Sequence, residues 1–411
     1  MRLVAFIAFE LAATFLVFPV KPAFLSKYFV AVAVFTYSHV SRSANTYLYI
    51  FRARLKKGLI TRFVMLTPQE VAAVREEMVN CQRPIFFFHD DPDGLASFML
   101  CYRFLKEGKG IPIKAYPRIT SEFARKAEEA GADKVFILDV AMVDQEFIDA
   151  VKVPVIWVDH HAPLERDRVK YFNPRVSRGV NVPTPVLIWQ VMGEDRPQDL
   201  WIAVTGAIGD WYFPDFAPIF QDAYPDLLPK TVSSVEEALF NTEIGTLVKV
   251  FSFNLKGAMS EVSKSVKILT RIDDPYEILK QTTPRGKLLW KKYVEINKEY
   301  EILKEKALKN VSNDKLFVFT YHDDKLSLTK DLANELLYIF KDKVVILGRK
   351  RSGEVRCSLR APASVNLLKA LEKALVGIEG YGGGHEQACG AGIKEHDFEH
   401  FLDNLRKELK L

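Results

Sequence analysis

Carboxylates and imidazoles stand together at four places in this chain: His89-Asp90-Asp91-Pro92-Asp93-Gly94, Asp139, Asp159-His160-His161 and Asp210. A lone acid of this kind is usually a helix cap or a turn former. A lone histidine is more often structural than a ligand. Four such places in sequence are harder to dismiss. A cluster of so many anions needs cations at neutral pH, and mixed carboxylate and imidazole ligation suits Mn²⁺ or a similar divalent ion. Two such ions about 3.5–4 Å apart would polarise a phosphoryl group and make hydroxide from a bridging water.

The elements around these residues must bring them to one place. Thr67-Pro68-Gln69-Glu70 is a capping box with proline at the first helical position, and it opens a helix through about Asn80. The apolar run at 84–89 (PIFFFH) reads as a buried strand, and strands are also predicted at 112–116, 134–139 and 154–159. Helices are predicted between them, from 94 through 105, over 121–131 and over 144–151. This alternation means a parallel α/β sheet, in which ligands bind at the C-terminal strand ends. The first three groups stand at those ends, and Asp210 follows Gly206 and Gly209 on a helix predicted over 199–213. Residues 235–310 are mostly helical in pattern. The stretch 285–309 mixes both charge signs and reads as a solvated connecting helix rather than a nucleic-acid grip. A second α/β unit begins near Leu316, with strand-like runs at 344–348 and 354–360, a helix over 364–375 and a glycine cluster over 380–392.

HDDPDGLAS, LDV, VDHH and GAIGD, in that order, resemble the four motifs of the DHH phosphoesterase superfamily. Gly380-Tyr-Gly-Gly-Gly-His385 resembles the GGGH motif of its DHH-associated C-terminal domain. The resemblance covers roughly 80–411. It implies an α/β fold with two domains: a parallel-sheet catalytic domain over 61–275 and a smaller mixed α/β substrate-binding domain over 313–411, joined by a helical linker over 276–312. It implies metal ligation by Asp91, Asp93, Asp139, His160 and Asp210, with Asp139 bridging two ions, Mn²⁺ foremost and Mg²⁺ or Co²⁺ as substitutes. His89 is a further ligand by this resemblance, with the HxDxDG spacing closer to archaeal RecJ-like members than to the GdpP and NrnA types. Asp159 would orient an imidazole, and His161 would stand near the phosphate as donor or proton carrier, so that His160, His161 and Asp159 carry the catalysis. In the second domain Gly382, Gly383, Gly384 and His385 would approach a phosphate or base, and Arg360 and Arg356 would hold a terminal phosphate. Cys357 and Cys389 read as small core residues rather than nucleophiles.

Composition sets the remaining bounds. At about 150 residues per domain, 411 residues suggest two or three domains. With 48% hydrophobic residues the chain is not largely disordered, and four cysteines without a CxxC pair argue against a zinc ribbon or a disulfide scaffold. Residues 1–66 hold nine Lys/Arg against Glu10 alone, a net +8, which leaves the other 345 residues with 48 basic and 51 acidic groups, a net −3. The body is therefore not a strongly cationic nucleic-acid binder. Two apolar runs, 3–20 and 23–37, each fall a little short of the ~20 residues of a spanning helix. The expectation is a membrane-anchoring hairpin over 1–60 with a basic segment facing the cytoplasm and anionic lipid. A cleaved signal peptide and a soluble hairpin docked on the body are the competing readings.

Together these readings predict a membrane-bound protein with a cytoplasmic catalytic domain, cytoplasmic throughout if the hairpin is a docking element. The predicted activity is a metal-dependent phosphodiesterase that hydrolyses cyclic di-AMP, its linear product or short oligonucleotides to nucleoside monophosphates. The alternative is a RecJ-like exonuclease specific for single-stranded nucleic acid. A second copy of the chain, as a homodimer, is a further expected partner.

Overall fold

A computed structural model describes residues 65–114, 118–322 and 326–410. The predicted hairpin over 1–60 lies outside the described residues, and among these no helix is long and apolar enough to cross a membrane. The first helix, α1 (Pro68–Val79), starts as its capping box requires: the Glu70 amide donates to the Thr67 hydroxyl at 3.2 Å, and the Thr67 amide donates to the Glu70 carboxylate at 2.7 Å. It leads into β1 (Pro84–His89) and α2 (Pro92–Leu105), followed by the strands β2 (Lys109–Ile113), β3 (Lys134–Leu138), β4 (Val155–Val158) and β5 (Val169–Phe172). All five strands are parallel, in the order β2-β1-β3-β4-β5. The central strands β1, β3 and β4 are apolar almost throughout because helices cover both faces of the sheet.

Two edge strands differ from the sequence pattern. The turn at Gly108, with φ +118°, releases the chain into β2 at Lys109, three residues before the apolar run, and Pro112 is tolerated because this strand is an edge. The unforeseen β5 is the other edge. Its exposed Lys170 interrupts the apolar pattern that marks the buried strands.

The helices α3 (Thr184–Met192) and α4 (Leu200–Gly209) pack against α2. Buried Arg103 of α2 ties this layer together: it meets Asp199 at 2.9 Å, donates to the carbonyls of Thr270 and Ile272, and reaches Asp273. Further on come α5 (Glu243–Asn254), α6 (Met259–Leu269) and the long α7 (Pro284–Lys309). In place of a fully solvated connector, α7 buries Leu289, Ile296, Tyr300 and Ala307 along one side. Its C-terminal half joins the core of the second sheet, and Asn254 of α5 donates to the Leu289 carbonyl.

The second sheet is mixed. It comprises β6 (Leu316–His322), β7 (Val344–Arg351), β8 (Glu354–Arg360), β9 (Gly380–Gly384) and β10 (Ala388–Lys394), with the helices α8 (Thr329–Ile339), α9 (Leu367–Ala374) and α10 (Phe398–Leu409). The strand order is β9-β10-β8-β7-β6, with only β6 and β7 parallel. Val344 and Ile346 face the core with α9 and α10, while Val345 and Leu347 face the core with α7 and α8. Both sheets belong to one compact unit, Arg62–Leu411.

Candidate metal centre

The register of the first sheet aligns Phe88, Leu138, Val158 and Phe172 in one row. The residues that follow, His89, Asp139, Asp159 and Asn173, therefore emerge side by side at the C-terminal edge. Asp91 caps α2: its Oδ1 accepts from the Gly94 amide at 3.1 Å, which turns Oδ2 toward His89 Nδ1 at 3.0 Å. Gly94 permits this close strand-to-helix turn, since a Cβ there would lie 2.4 Å from the His89 carbonyl oxygen. Asp139 adopts a left-handed backbone at φ +56°, at a cost of order 1 kcal/mol for a non-glycine residue. Its two oxygens face opposite neighbours, Oδ2 at 3.4 Å from His89 Nδ1 and Oδ1 at 3.3 Å from His160 Nε2. His160 Nε2 in turn lies 3.6 Å from Asp210 and 3.8 Å from Asp93.

Three groups of ligand atoms result, each within 4.8 Å: His89, Asp91 and Asp139; Asp93, His160 and Asp210; and Asp139, His160 and His161. Asp139 belongs to two of them. Asp93 Oδ1 is buried without a hydrogen-bond donor, and the two buried Asp139 oxygens have only the imidazoles of His89 and His160 beside them, an arrangement that is costly unless something positive meets them. Burial, followed by the charges of Asp139 and Asp210, pushes the Asp93 carboxyl well up. Burial alone would lower the two imidazoles. Instead the surrounding aspartates raise His89 to about 10 and His160 well above its ordinary value. Without a cation the cluster holds protons to offset its own charge. Divalent cations at the same place would replace those protons, and the donor set of oxygens and imidazole nitrogens suits them.

Neighbouring side chains fix these ligands. The Asn181 side-chain oxygen lies 2.8 Å from His160 Nδ1, and as an acceptor it holds the proton there and leaves Nε2 to the cluster. Arg175 donates to the His160 carbonyl at 2.6 Å. Thr184, at the start of α3, donates its amide to Asp93 Oδ2 at 3.2 Å. Asp159 is fully buried and touches His161 twice, through Nδ1 at 2.8 Å and the backbone amide at 3.0 Å. The imidazole it orients is therefore that of His161.

The second sheet closes the site. The edge strand β9 ends at Gly384, where φ is +146° and a Cβ would lie 2.4 Å from the Ala388 carbonyl oxygen, which leaves room for glycine alone. The strand delivers His385 opposite His161, with ring centroids 6.0 Å apart and planes 22° apart. Partial burial and then His161 and Arg175 push the His385 pKa down to about 4, so it enters the cleft as a neutral imidazole. Gly382 and Gly383 are exposed along the same strand. Lys330, on the first turn of α8, reaches across to Asp91 Oδ2 at 2.9 Å. The two arginines of β8 are placed differently from the expectation. Arg360 is buried, with its guanidinium donating to the Leu359 carbonyl and to Asn334, so it is not free to grip a phosphate with both edges. Arg356 is exposed and paired with Glu354. Lys330, Asn181 and Arg175 were not singled out by the sequence. Each is a single polar residue with no pattern of its own around it, and only the fold brings it to the cluster. A cavity of about 400 Å³ opens between the two sheets, lined among others by His89, Asp91, Lys114, Trp211 and Lys330.

Comparison with known proteins agrees with this architecture. The model of the DHH family N-terminal domain matches residues 85–203, and that of the DHHA1 domain matches 307–411. No curated protein matches the chain. Among solved structures, RecJ of Thermus thermophilus in complex with Mn²⁺ superposes with a TM-score of 0.62 at 18% identity, covering 84% of this chain and 55% of that one. The chain thus spans about half the length of that relative. An exonuclease RecJ bound to manganese gives a TM-score of 0.52 at 17% identity, over 83% of this chain and 94% of that one. The DHH domain of a member of a family of ribosomal proteins gives 0.56 at 16% identity, over 89% and 99%. At these identities the likeness is one of fold. With both domain models matched in order and the motif residues gathered at one sheet edge, the chain carries a DHH family N-terminal domain over 85–203 followed by a DHHA1 domain over 307–411.

Proposed function

We propose that this protein is a divalent-metal-dependent phosphodiesterase acting on nucleotide substrates bound between its two sheets. The observation that carries the proposal is the meeting of His89, Asp91, Asp93, Asp139, His160 and Asp210 around buried carboxylate oxygens, with His385 opposite the neighbouring His161. These six residues would hold the ions, with Asp139 shared between them. The RecJ structures bound to Mn²⁺ or Mg²⁺ support those ions as occupants. Such ions would supply Lewis acidity toward a phosphoryl oxygen and acidify the attacking water.

The protein's own groups do the rest. Asp159 holds the His161 ring by Nδ1, so its Nε2 is the edge free to hold or pass a proton. His385, neutral at pH 7, offers a hydrogen bond to a non-bridging phosphate oxygen from the other wall. Lys330 brings a cation to the same edge of the cleft and balances phosphate charge there. The cavity, at about 400 Å³, is within the range of small-ligand pockets and supports dinucleotide-sized substrates, linear or cyclic. The likeness to RecJ supports a single strand whose terminal nucleotides occupy the same place.

The test uses the full chain stripped with chelator and resupplied with Mn²⁺. Cyclic di-AMP, linear pApA and bis(p-nitrophenyl) phosphate are incubated separately, and the products are resolved by chromatography. Release of nucleoside monophosphate from pApA, dependent on Mn²⁺, is the expected result. Turnover in chelator, or no turnover of any diester with Mn²⁺, would contradict the proposal.

A further inference from the structure

The helix α4 ends on a residue that its backbone disfavours. The last turn closes as a Schellman motif: the Tyr212 amide donates to the Ala207 carbonyl at 2.9 Å, and the Trp211 amide donates to the Ile208 carbonyl at 3.0 Å. This motif puts the residue after the cap in the left-handed region, where glycine is the usual occupant because a side chain is strained there. Here that residue is Trp211, at φ +58°. The other non-glycine residues with positive φ, among the described residues, are all polar or charged. A bulky aromatic in this conformation is an outlier, and strain of this kind is concentrated at functional sites.

The indole stands one residue beyond Asp210, a candidate metal ligand, and lines the cleft cavity. It is only half-buried, so packing into the core does not account for it. Leu239, Phe240 and Val248 make an apolar wall with it, while the second domain contributes polar groups such as Thr329, Lys330 and Ser358. Phe240, on the short helix Val235–Asn241, is fixed in place. Its ring stacks on Tyr338 of α8 with centroids 4.7 Å apart, and the neighbouring Asn241 donates to the Tyr338 hydroxyl at 2.9 Å. Trp211 meets Phe240 edge to face, with centroids 6.0 Å and planes 60° apart. The three rings form a row that starts beside the metal centre.

The charged groups of the site read phosphate. Metal ions, Lys330 and His385 would meet any phosphate ester alike, and none of them distinguishes a nucleotide. An indole does, because every nucleobase has a π-face that can lie against it. We infer that Trp211 is the platform on which one nucleobase of the substrate stacks, with Leu239 and Phe240 completing the base subsite. The inference rests on the phosphodiesterase reading and deepens it, since it assigns the residue that makes a base-bearing ester the preferred substrate.

The test measures calorimetrically the binding of AMP and of ribose 5-phosphate to the Mn²⁺-loaded full chain. The two ligands share phosphate and ribose and differ in the base. Wild type should bind AMP at least about tenfold more tightly. Trp211→Gly puts in the residue that suits the left-handed backbone, and it should lose that advantage while its affinity for ribose 5-phosphate stays the same. Trp211→Phe keeps a ring and should keep most of the preference. Melting curves check that all three proteins are folded. Equal binding of both ligands by wild type, or a preference retained in Trp211→Gly, would overturn the inference. So would an equal loss for both ligands, which is what a purely structural tryptophan would give. Hydrolysis of linear pApA is followed with the same proteins. A Trp211-dependent preference for AMP without hydrolysis would overturn the phosphodiesterase reading and leave the base subsite standing. Hydrolysis without the preference would do the reverse.

Discussion

At the scale of single residues, the site holds two carboxylates, Asp93 and Asp210, whose ionised form is disfavoured by burial and by neighbouring aspartates. The Asn181 contact shows how one candidate ligand is held, because its carbonyl oxygen selects the His160 tautomer that faces the cluster. Asn181→Ala should lower Mn²⁺ affinity about 10–100-fold, the usual effect of removing a ligand's supporting partner. A calorimetric Mn²⁺ titration checks this, and unchanged affinity would show that Asn181 is a bystander. The six ligand candidates were legible in the sequence because acids and histidines at the ends of apolar runs are uncommon and their order is specific. Asn181, Arg175 and Lys330 were not, since a single amide or cation on a loop or helix carries no pattern of its own. The surroundings of Arg360 were hidden for a related reason. A strand's alternation shows which face a residue takes but not that Asn334 and a backbone carbonyl will already occupy its guanidinium.

At the scale of elements, placement of the site depends on how helices are tied to the first sheet. Arg103 joins α2, which carries Asp91 and Asp93 at its start, to Asp199 just before α4, which ends next to Asp210. Arg103→Leu removes one of the two arginines paired with buried Asp199, together with the ties to the Thr270 and Ile272 carbonyls, and should destabilise the fold by about 3–5 kcal/mol. Urea denaturation measures this, and a loss under about 1 kcal/mol would mean that Arg196 alone, which also pairs with Asp199, suffices. A second tie joins α1 to the sheet. Burial alone would raise the Glu77 carboxyl, but hydrogen bonds from Lys134 and Lys170 hold it below the ordinary glutamate value. The stability from this contact is complete above the unfolded pKa and is lost as pH falls through the lowered folded value. Glu77→Gln should therefore cost about 1 kcal/mol at pH 7, allowing for the exposure of Lys170, with the difference vanishing in acid. Stability curves at several pH values test the sign, and a difference that grew on acidification would contradict it. Most elements were legible from apolar runs and caps. The edge strand β5 was not, because exposure on one side erases the apolar pattern, and α7 hid its buried side among charges of both signs.

At the scale of the whole molecule, net charge hides local groups of cations. The body beyond residue 66 carries a net −3, yet Lys114, Lys256 and Lys292 gather beside the cleft, drawn from segments far apart in sequence. Charge summed over a chain averages such a group away. The two-sheet arrangement matters at the same scale, because His385 and Lys330 reach the candidate metal centre from the second sheet and its first helix. The most direct test of the central claim follows hydrolysis of linear pApA as Mn²⁺ is titrated into the chelator-stripped full chain, for wild type and for Asp139→Asn. Turnover should be absent without metal, should rise with Mn²⁺ in the wild type, and should fall by about a thousandfold or more in the variant. Asparagine tolerates the left-handed backbone of this position, so the variant should remain cooperatively folded, as its melting curve checks. Turnover in chelator, or near-wild-type turnover by Asp139→Asn, would contradict the account.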